Sequence, residues 1–241
     1  MVRWNEREGE LLLMTPLQIA IDGPVAAGKG DIAGRLAKKL GFLYVYTGAM
    51  YRMLALACIK KDIPLKDSER VLPLLQTISI ELVEPDSNSQ YAYKALLDDG
   101  DVTERITDQD AAMGASDVAV IPEVRQFMVK RQQEIVQSKK VVMEGRDIGL
   151  RVLPEAQLKI YLTASVAERA HRRWLQFQTK GIEKSPDEVL ADTELRDNQD
   201  TTRPTDPLQK LPDAWELDTT GMTQEEVIAR IKEELVRRKL L

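Results

Sequence analysis

Short apolar runs alternate with amphipathic stretches in the first quarter of the chain, and this alternation is typical of an α/β protein. Ile32, Leu36 and Leu40 fall on one helical face, and Gly41 follows as a residue that favours helix termination. The strands predicted here are 17–21 and 42–45, and the helices are 29–40 and 49–60. This βαβα order predicts a parallel sheet flanked by helices.

The middle of the chain has a different pattern. Residues 78–83 and 91–97 have strand character on either side of the turn-rich segment 84–90, which predicts a small antiparallel insertion. Thr223 and Glu226 have the spacing of a capping box at the start of an amphipathic helix. The other predicted helices are 108–119, 123–138, 165–180, 186–197 and 223–238, and the other predicted strands are 140–143, 158–162 and 214–217.

Length and composition favour one domain in a reducing compartment. The 241 residues suit a single domain over 15–241, preceded by a frayed extension over 1–14. The net charge of −5 argues against nucleic-acid or acidic-membrane partners, so that an arginine cluster would bind a local anion. Cys58 is the only cysteine, which excludes an internal disulfide and fits the cytoplasm. We expect a monomer that binds small molecules.

A glycine-rich loop over residues 23–30, GPVAAGKG, joins the first strand to the first helix. In this context backbone N–H groups and the positive helix N-terminus bind phosphates, and Lys29 can reach the β- and γ-phosphates of a nucleotide. Gly30 stands where Ser or Thr is usual. Asp22, just before the loop, has two interpretations: a carboxylate on the magnesium side, or a hydrogen-bond acceptor at the end of a strand.

Arginines from separate segments suggest a second phosphate-binding region. Guanidinium groups bind phosphate oxygens in bidentate fashion, so a cleft that gathered these residues would hold several phosphates. Arg196, Asp200 and Arg203 have the spacing of one helical face, although a solvated ion pair is the alternative interpretation. The arginines concerned are Arg52, Arg125, Arg146, Arg196 and Arg203.

The motifs in this order resemble those of bacterial cytidylate kinases, which are P-loop nucleoside monophosphate kinases. The resemblance extends from about residue 17 to residue 231. The segments that carry it are IDGPVAAGKG (21–30), TGAMYR (47–52), EGRDIG (144–149), LPEAQLKIYLTAS (153–165), ERAHRR (168–173) and RDNQDTTRPTDPL (196–208).

The resemblance implies a three-layer α/β P-loop fold with a parallel core sheet. An acceptor-binding insertion would occupy about 62–105, and a short lid about 174–192. The implied reaction transfers the γ-phosphoryl group of ATP to CMP or dCMP and gives ADP with CDP or dCDP. Mg²⁺ would assist, no covalent intermediate would form, and catalysis would consist of positioning and charge neutralisation.

The resemblance also assigns residues to roles. Ser116, Arg125 and Asp147 would contact cytosine, whose N4 amino group is a donor that a carboxylate can accept. No metal ligand is assigned. The catalytic set is Lys29, Arg146 and Arg203. The ATP-binding set is Gly23, Pro24, Val25, Ala26, Ala27, Gly28, Lys29, Gly30, Asp31, Arg169 and Arg173. The acceptor-binding set is Thr47, Arg52, Ser116, Arg125, Arg146, Asp147, Arg196, Asp200 and Arg203.

Three departures from the family pattern lie close to the implied chemistry. Asp31 replaces the usual Thr, and its carboxylate would repel phosphate unless Mg²⁺ or an arginine lay between them. Tyr46 replaces the usual Asp, and Leu150 with Arg151 replace a Thr and a small apolar residue. Two alternatives therefore stay open: a nucleotide-binding protein without transfer activity, and a kinase for another acceptor such as UMP, AMP or shikimate.

Overall fold

A parallel sheet of five strands lies at the centre of the computed structural model, which describes residues 2–4, 11–13, 15–86 and 88–241. The strands are β1 Val2–Trp4, β2 Leu11–Leu13, β3 Gln18–Asp22, β4 Leu43–Tyr46, β5 Ile80–Val83, β6 Lys94–Leu97, β7 Gly100–Asp101, β8 Val141–Gly145, β9 Leu158–Thr163 and β10 Trp215–Asp218. The helices are α1 Lys29–Leu40, α2 Thr47–Lys60, α3 Ser68–Thr77, α4 Gln109–Val118, α5 Pro122–Val136, α6 Val166–Thr179, α7 Pro186–Thr202 and α8 Gln224–Arg237.

The order of the central strands is β10-β9-β3-β8-β4, and every neighbouring pair is parallel. Every residue of β8 is buried, because helices cover both faces of the sheet. The predicted βαβα opening and the three-layer α/β fold are therefore confirmed. The capping box of Thr223 and Glu226 at the start of α8 is confirmed as well.

Three apolar clusters of buried residues fill the described part of the molecule, and no buried residue belongs to two of them. The first, which we call the nucleotide-side core, lies between the central sheet and helices α1 and α8, and includes Ile21, Leu36 and Ile231. The second, the acceptor-side core, joins helices α2 to α5 with β5 and β6, and includes Met53 and Leu97. The third cluster lies around β8 and shares two partly buried neighbours with the acceptor-side core.

The predicted insertion is an antiparallel sheet in the order β5-β6-β7, with Ile80 opposite Leu97. The sequence did not predict the short β7 or helix α3. Pro73 lies inside α3, and a proline there removes a backbone donor and argues against a helix. The helix forms nonetheless because Asp67 caps its first turn and an apolar face that includes Val71 is buried.

Two further predictions concern the ends of elements. Helix α7 continues to Thr202, beyond its predicted end at residue 197. In the predicted frayed extension over 1–14, β1 and β2 pair in antiparallel fashion, and the other residues of that segment lie outside the described residues. Across the described ranges, the helices include none with the length and apolar character needed to cross a membrane.

Candidate active site

A cleft of about 760 Å³ opens at the carboxyl ends of β3, β4 and β8. Ligands bind at this edge in open parallel sheets because loops, rather than backbone pairing, occupy it. The volume is that of a small-molecule binding site. One end of the cleft, which we call the donor end, is formed by the glycine-rich loop. The opposite end, the acceptor end, is formed by α2, α4, α5 and α7.

The glycine-rich loop is closed around its own lysine. Lys29 is buried, and its Nζ donates hydrogen bonds of 2.8 Å to the Gly23 carbonyl and 2.7 Å to the Pro24 carbonyl. A Cβ on Gly23 would lie 2.0 Å from the Leu162 carbonyl oxygen, so only glycine allows the loop to pack against β9. Burial, and then the nearby Arg146 guanidinium, lower the pKa of Lys29 from 10.5 to about 7.

Two buried carboxylates lie beneath the loop. Asp22 accepts backbone N–H bonds of 2.8 Å from both Ile148 and Gly149, which supports its interpretation as a strand-end acceptor. Burial raises the pKa of Asp22 to about 6.

Glu144 is the second carboxylate, and the sequence analysis did not assign it a role although it begins the EGRDIG motif. Burial raises the pKa of this carboxyl. Within the described residues its carboxylate accepts no hydrogen bond, and a Cβ on Gly30 would lie 3.7 Å from its Oε1.

At the acceptor end, Arg125 is held between two carboxylates. Only 2% of its side chain is exposed, and its guanidinium pairs with Asp147 and, at 3.4 Å, with Asp206. Arg203 approaches the other oxygen of Asp147 at 3.6 Å. Asp206 also pairs with Arg151. The sequence analysis missed Asp206, whose only signal was its place in the TRPTDPL segment.

Between the two ends lies a group of arginines with few protein partners. Arg146 pairs with Asp200 at 2.6 Å. The Nε of Arg196 is buried and has no hydrogen-bond partner within the described residues. Burial, and then Arg146, lower the pKa of Arg196 to about 10. A buried guanidinium with an unmet donor is a strong site for an anion, because a bound oxygen atom would remove the desolvation penalty.

Tyr46 connects this arginine group to the insertion. The Arg52 guanidinium lies 5.6 Å from the centre of the Tyr46 ring, and Arg52 Nη1 donates to the Ile106 carbonyl at 3.0 Å. The Tyr46 ring in turn lies 5.4 Å from that of Tyr93 in the insertion. The aromatic residue at the family's Asp position thus packs under an arginine instead of presenting a charge.

The structure brings most of the predicted site together. Every residue of the predicted acceptor-binding set lines the cleft, and so do residues 25–31 and Arg173. Gly23 and Pro24 accept hydrogen bonds from Lys29 outside that lining. Arg169 also lies outside it: this buried side chain donates to the Val25 carbonyl at 3.1 Å and pairs with Asp197 at 2.7 Å, so it supports the loop from behind.

The described residues contain no group of three or more His, Cys, Asp or Glu side chains placed to hold a metal ion. The cleft instead combines a phosphate-binding loop, several guanidinium groups and an Arg–Asp pair at its far end. This arrangement can hold two phosphorylated molecules in line and bring a phosphoryl group between them.

Comparison with known proteins agrees with this geometry. Residues 19–237 match the family model described as cytidylate kinase. A cytidylate kinase of Caldanaerobacter subterraneus is 44% identical over 217 residues, covering 90% of this chain and 93% of that protein. One of Limosilactobacillus reuteri is 44% identical over 216 residues, covering 89% and 93%. A structure from Eubacterium ventriosum with a TM-score of 0.50 and 11% identity covers 92% of this chain and 98% of that chain, which indicates a similar fold alone.

Proposed function

Because this chain belongs to the cytidylate kinase family, we propose that its cleft transfers the γ-phosphoryl group of ATP to CMP or dCMP. The single observation that carries the assignment of roles is the position of the arginine group. Arg146 and Arg196 line the same cleft as Lys29 and as the Arg125–Asp147 pair. Phosphates bound from both ends would meet at these arginines.

At the donor end, ATP phosphates replace the loop carbonyls around Lys29. In the empty loop the Gly23 and Pro24 carbonyls accept from its Nζ. A bound triphosphate offers stronger, charged acceptors, and it favours the ammonium form of a lysine whose pKa burial has lowered. Lys29 then neutralises charge that moves between the β- and γ-phosphates during transfer. Arg173 lines the cleft beside this position.

At the acceptor end, guanidinium groups hold the CMP phosphate and a separate set reads the base. Arg196 supplies a buried donor without a protein partner, and Arg52, Arg146 and Arg203 line the same part of the cleft. Asp147 is held in place by Arg125, and its carboxylate can accept a hydrogen bond from the N4 amino group of cytosine. Uracil has a carbonyl oxygen at the 4-position, which is a hydrogen-bond acceptor. It would face the carboxylate of Asp147, another acceptor, so no hydrogen bond could form.

The chemistry of the cleft fits a bound Mg²⁺ in a partly hydrated form. Mg²⁺ is commonly held by one or two carboxylates together with substrate phosphates and water. Glu144 is buried, accepts no hydrogen bond within the described residues, and lies beside Gly30 of the loop. We propose Glu144 as the carboxylate on the metal side, and when bound Mg²⁺ would neutralise phosphate charge. We further propose that the enzyme acts as a monomer in the cytoplasm, where both nucleotides occur.

A coupled assay of ADP release tests the proposal against both alternatives. The purified protein is given ATP and Mg²⁺ with CMP, dCMP, UMP or AMP in parallel. We expect the largest kcat/KM with CMP or dCMP. No ADP from any acceptor, with ATP binding retained, would indicate a binding protein, and a preference for UMP or AMP would show that the base-reading role of Asp147 is wrong.

A further inference from the structure

We propose that Asp206 is a positioning residue that sets the orientation of the base-reading Arg125 from behind the cleft. Asp206 does not line the cleft, whereas Arg125 does. The inference rests on the proposed function, since it assumes that Arg125 contacts the acceptor base. No motif of the sequence analysis assigned Asp206 a role.

The contacts of Asp206 form a chain that leads from the surface to the cleft. One carboxylate oxygen accepts from Arg125 Nε at 3.4 Å, and the other pairs with Arg151. The Asp206 side chain is only 8% exposed, whereas Arg151 is 55% exposed. Arg151 is one of the departures from the family pattern, and its partner Asp206 is the carboxylate that contacts Arg125 from behind the cleft. An exposed arginine thus acts on the cleft through a buried carboxylate.

Arg125 needs two carboxylates for a geometric reason. A single carboxylate can hold one edge of a guanidinium while the group rotates about that contact, but contacts to Nε and Nη2 together fix the plane of the group. Within the described residues Nη1 makes no hydrogen bond, which leaves it as a donor for the acceptor base. Asp206 also relieves Asp147 of part of the Arg125 charge, so Asp147 can interact with Arg203 and with cytosine.

The backbone of Asp206 has a separate role. Its φ of 49° lies in the left-handed region, and its carbonyl oxygen accepts from Arg203 Nε at 2.7 Å. Asn and Asp adopt this region more readily than other residues with a side chain. Asp206→Asn therefore preserves the backbone contact to Arg203 and removes only the carboxylate charge, whereas Asp206→Ala would disturb both.

The test compares steady-state kinetics of the full-length enzyme and its Asp206→Asn variant. We expect KM for CMP to rise about tenfold and the CMP-to-UMP ratio of kcat/KM to fall, because a charge-assisted contact that orients Arg125 is weakened. KM for ATP should change less than about twofold, because Asp206 makes no contact at the donor end. Equal increases in both KM values, or an unchanged KM for CMP, would overturn the proposal.

Arg151→Ala should raise KM for CMP by about two- to threefold, because Arg151 acts through Asp206 and is half exposed. The double variant should be no worse than Asp206→Asn alone, since groups in one network are not additive. Fully additive effects would contradict the proposed chain of contacts.

Glu216→Gln is the control, because Glu216 forms a 2.6 Å surface pair with Lys210 outside the cleft. If the wild-type enzyme did not use CMP at all, the proposed function would fail. That result is distinct from the outcomes that would contradict the role of Asp206, because those compare variants with an active wild-type enzyme.

Discussion

The donor and acceptor ends of the cleft are built in different ways. At the donor end, Lys29 contacts carbonyl groups five and six residues earlier in the chain, so the lysine is held within one short segment, although Arg169 and Asp197 support the loop from distant segments. At the acceptor end, Arg125 contacts Asp147 and Asp206, which are 22 and 81 residues away. A local motif forms the first site, and the tertiary fold forms the second.

This difference has a functional meaning. The donor end depends on backbone geometry and one charge, so it can bind the phosphates of any nucleoside triphosphate that fits. The acceptor end depends on paired charges fixed by several helices, and such pairs are sensitive to the loss of either partner. We therefore propose that the local motif binds the phosphates of the donor and that the long-range network chooses the base of the acceptor.

The largest effect that the comparison predicts is that of Lys29→Ala. We expect kcat to fall by about 10² to 10³, because one preorganised charge at the transferred phosphoryl group is lost. The CMP-to-UMP ratio should stay constant, since the acceptor network is untouched. The measurement is ADP release with each acceptor, together with a melting curve to show that the variant folds. Near-normal turnover would exclude the loop as the catalytic site.

Asp147→Asn should mainly change the choice of base at the acceptor end of the cleft. We expect the CMP-to-UMP ratio of kcat/KM to narrow by about tenfold, because a charged acceptor matched to the cytosine N4 amino group is replaced by a neutral amide. Asp200→Asn is a useful comparison, because Asp200 pairs with the phosphate-side Arg146 at 2.6 Å instead of with Arg125. A fall in both rates with no change in the ratio would show that Asp147 has a structural role.

Asp31→Thr tests whether the carboxylate of Asp31, which replaces the family's usual Thr at the donor end, weakens ATP binding. Asp31 is exposed at the first turn of α1, where Gln224 Nε2 approaches its carboxylate at 3.5 Å. Two like charges about 4 Å apart repel by roughly 1 kcal/mol in water, so we expect ATP to bind about fivefold more tightly. Calorimetry with and without Mg²⁺ measures this. Weaker binding confined to solutions with Mg²⁺ would identify Asp31 as a group on the metal side.

The smallest predicted effect is a fraction of a proton taken up when ATP binds. Burial lowers the pKa of Lys29 from 10.5 to about 7, so the unfolded chain binds more protons than the empty native protein between these values. The contribution of Lys29 to stability therefore rises with pH across that window. Bound phosphate restores the ammonium form, so ATP binding at pH 8 should consume a fraction of a proton, less than one because some Lys29 is already protonated.

Calorimetry in buffers of different ionisation enthalpy measures this uptake, and Lys29→Ala should lack that part of it. Equal uptake by the two proteins would assign the proton to another group.

The same contrast explains what could be predicted from the sequence. The strand, loop and helix around Lys29 were predictable because their pattern is local and periodic. The pattern of Arg196 and Arg203 suggested phosphate binding, and the family resemblance added that the phosphate is that of the acceptor; the structure places both residues in the cleft. Asp206 could not be found, because its contacts depend on how α5 and the segment after β8 pack against the end of α7.

Arg169 is a residue that the sequence predicted in the ATP site but that the structure places outside the cleft. The resemblance gave it a role in ATP binding together with Arg173. In the structure its side chain is buried behind the glycine-rich loop and pairs with Asp197 of α7. Periodicity fixes which residues share a helix, but the packing of α6 against α7 decides which of them reach the cleft.

The separation of the two apolar cores has an evolutionary consequence. Since the nucleotide-side core and the acceptor-side core share no buried residue, substitutions in them should affect stability additively. A substitution in the acceptor-side core therefore lowers the free energy of unfolding of the domain by its own cost and does not amplify the cost of a substitution in the nucleotide-side core. A lineage can therefore change residues around the acceptor independently of the loop, as long as the summed cost stays below the marginal stability of the whole domain.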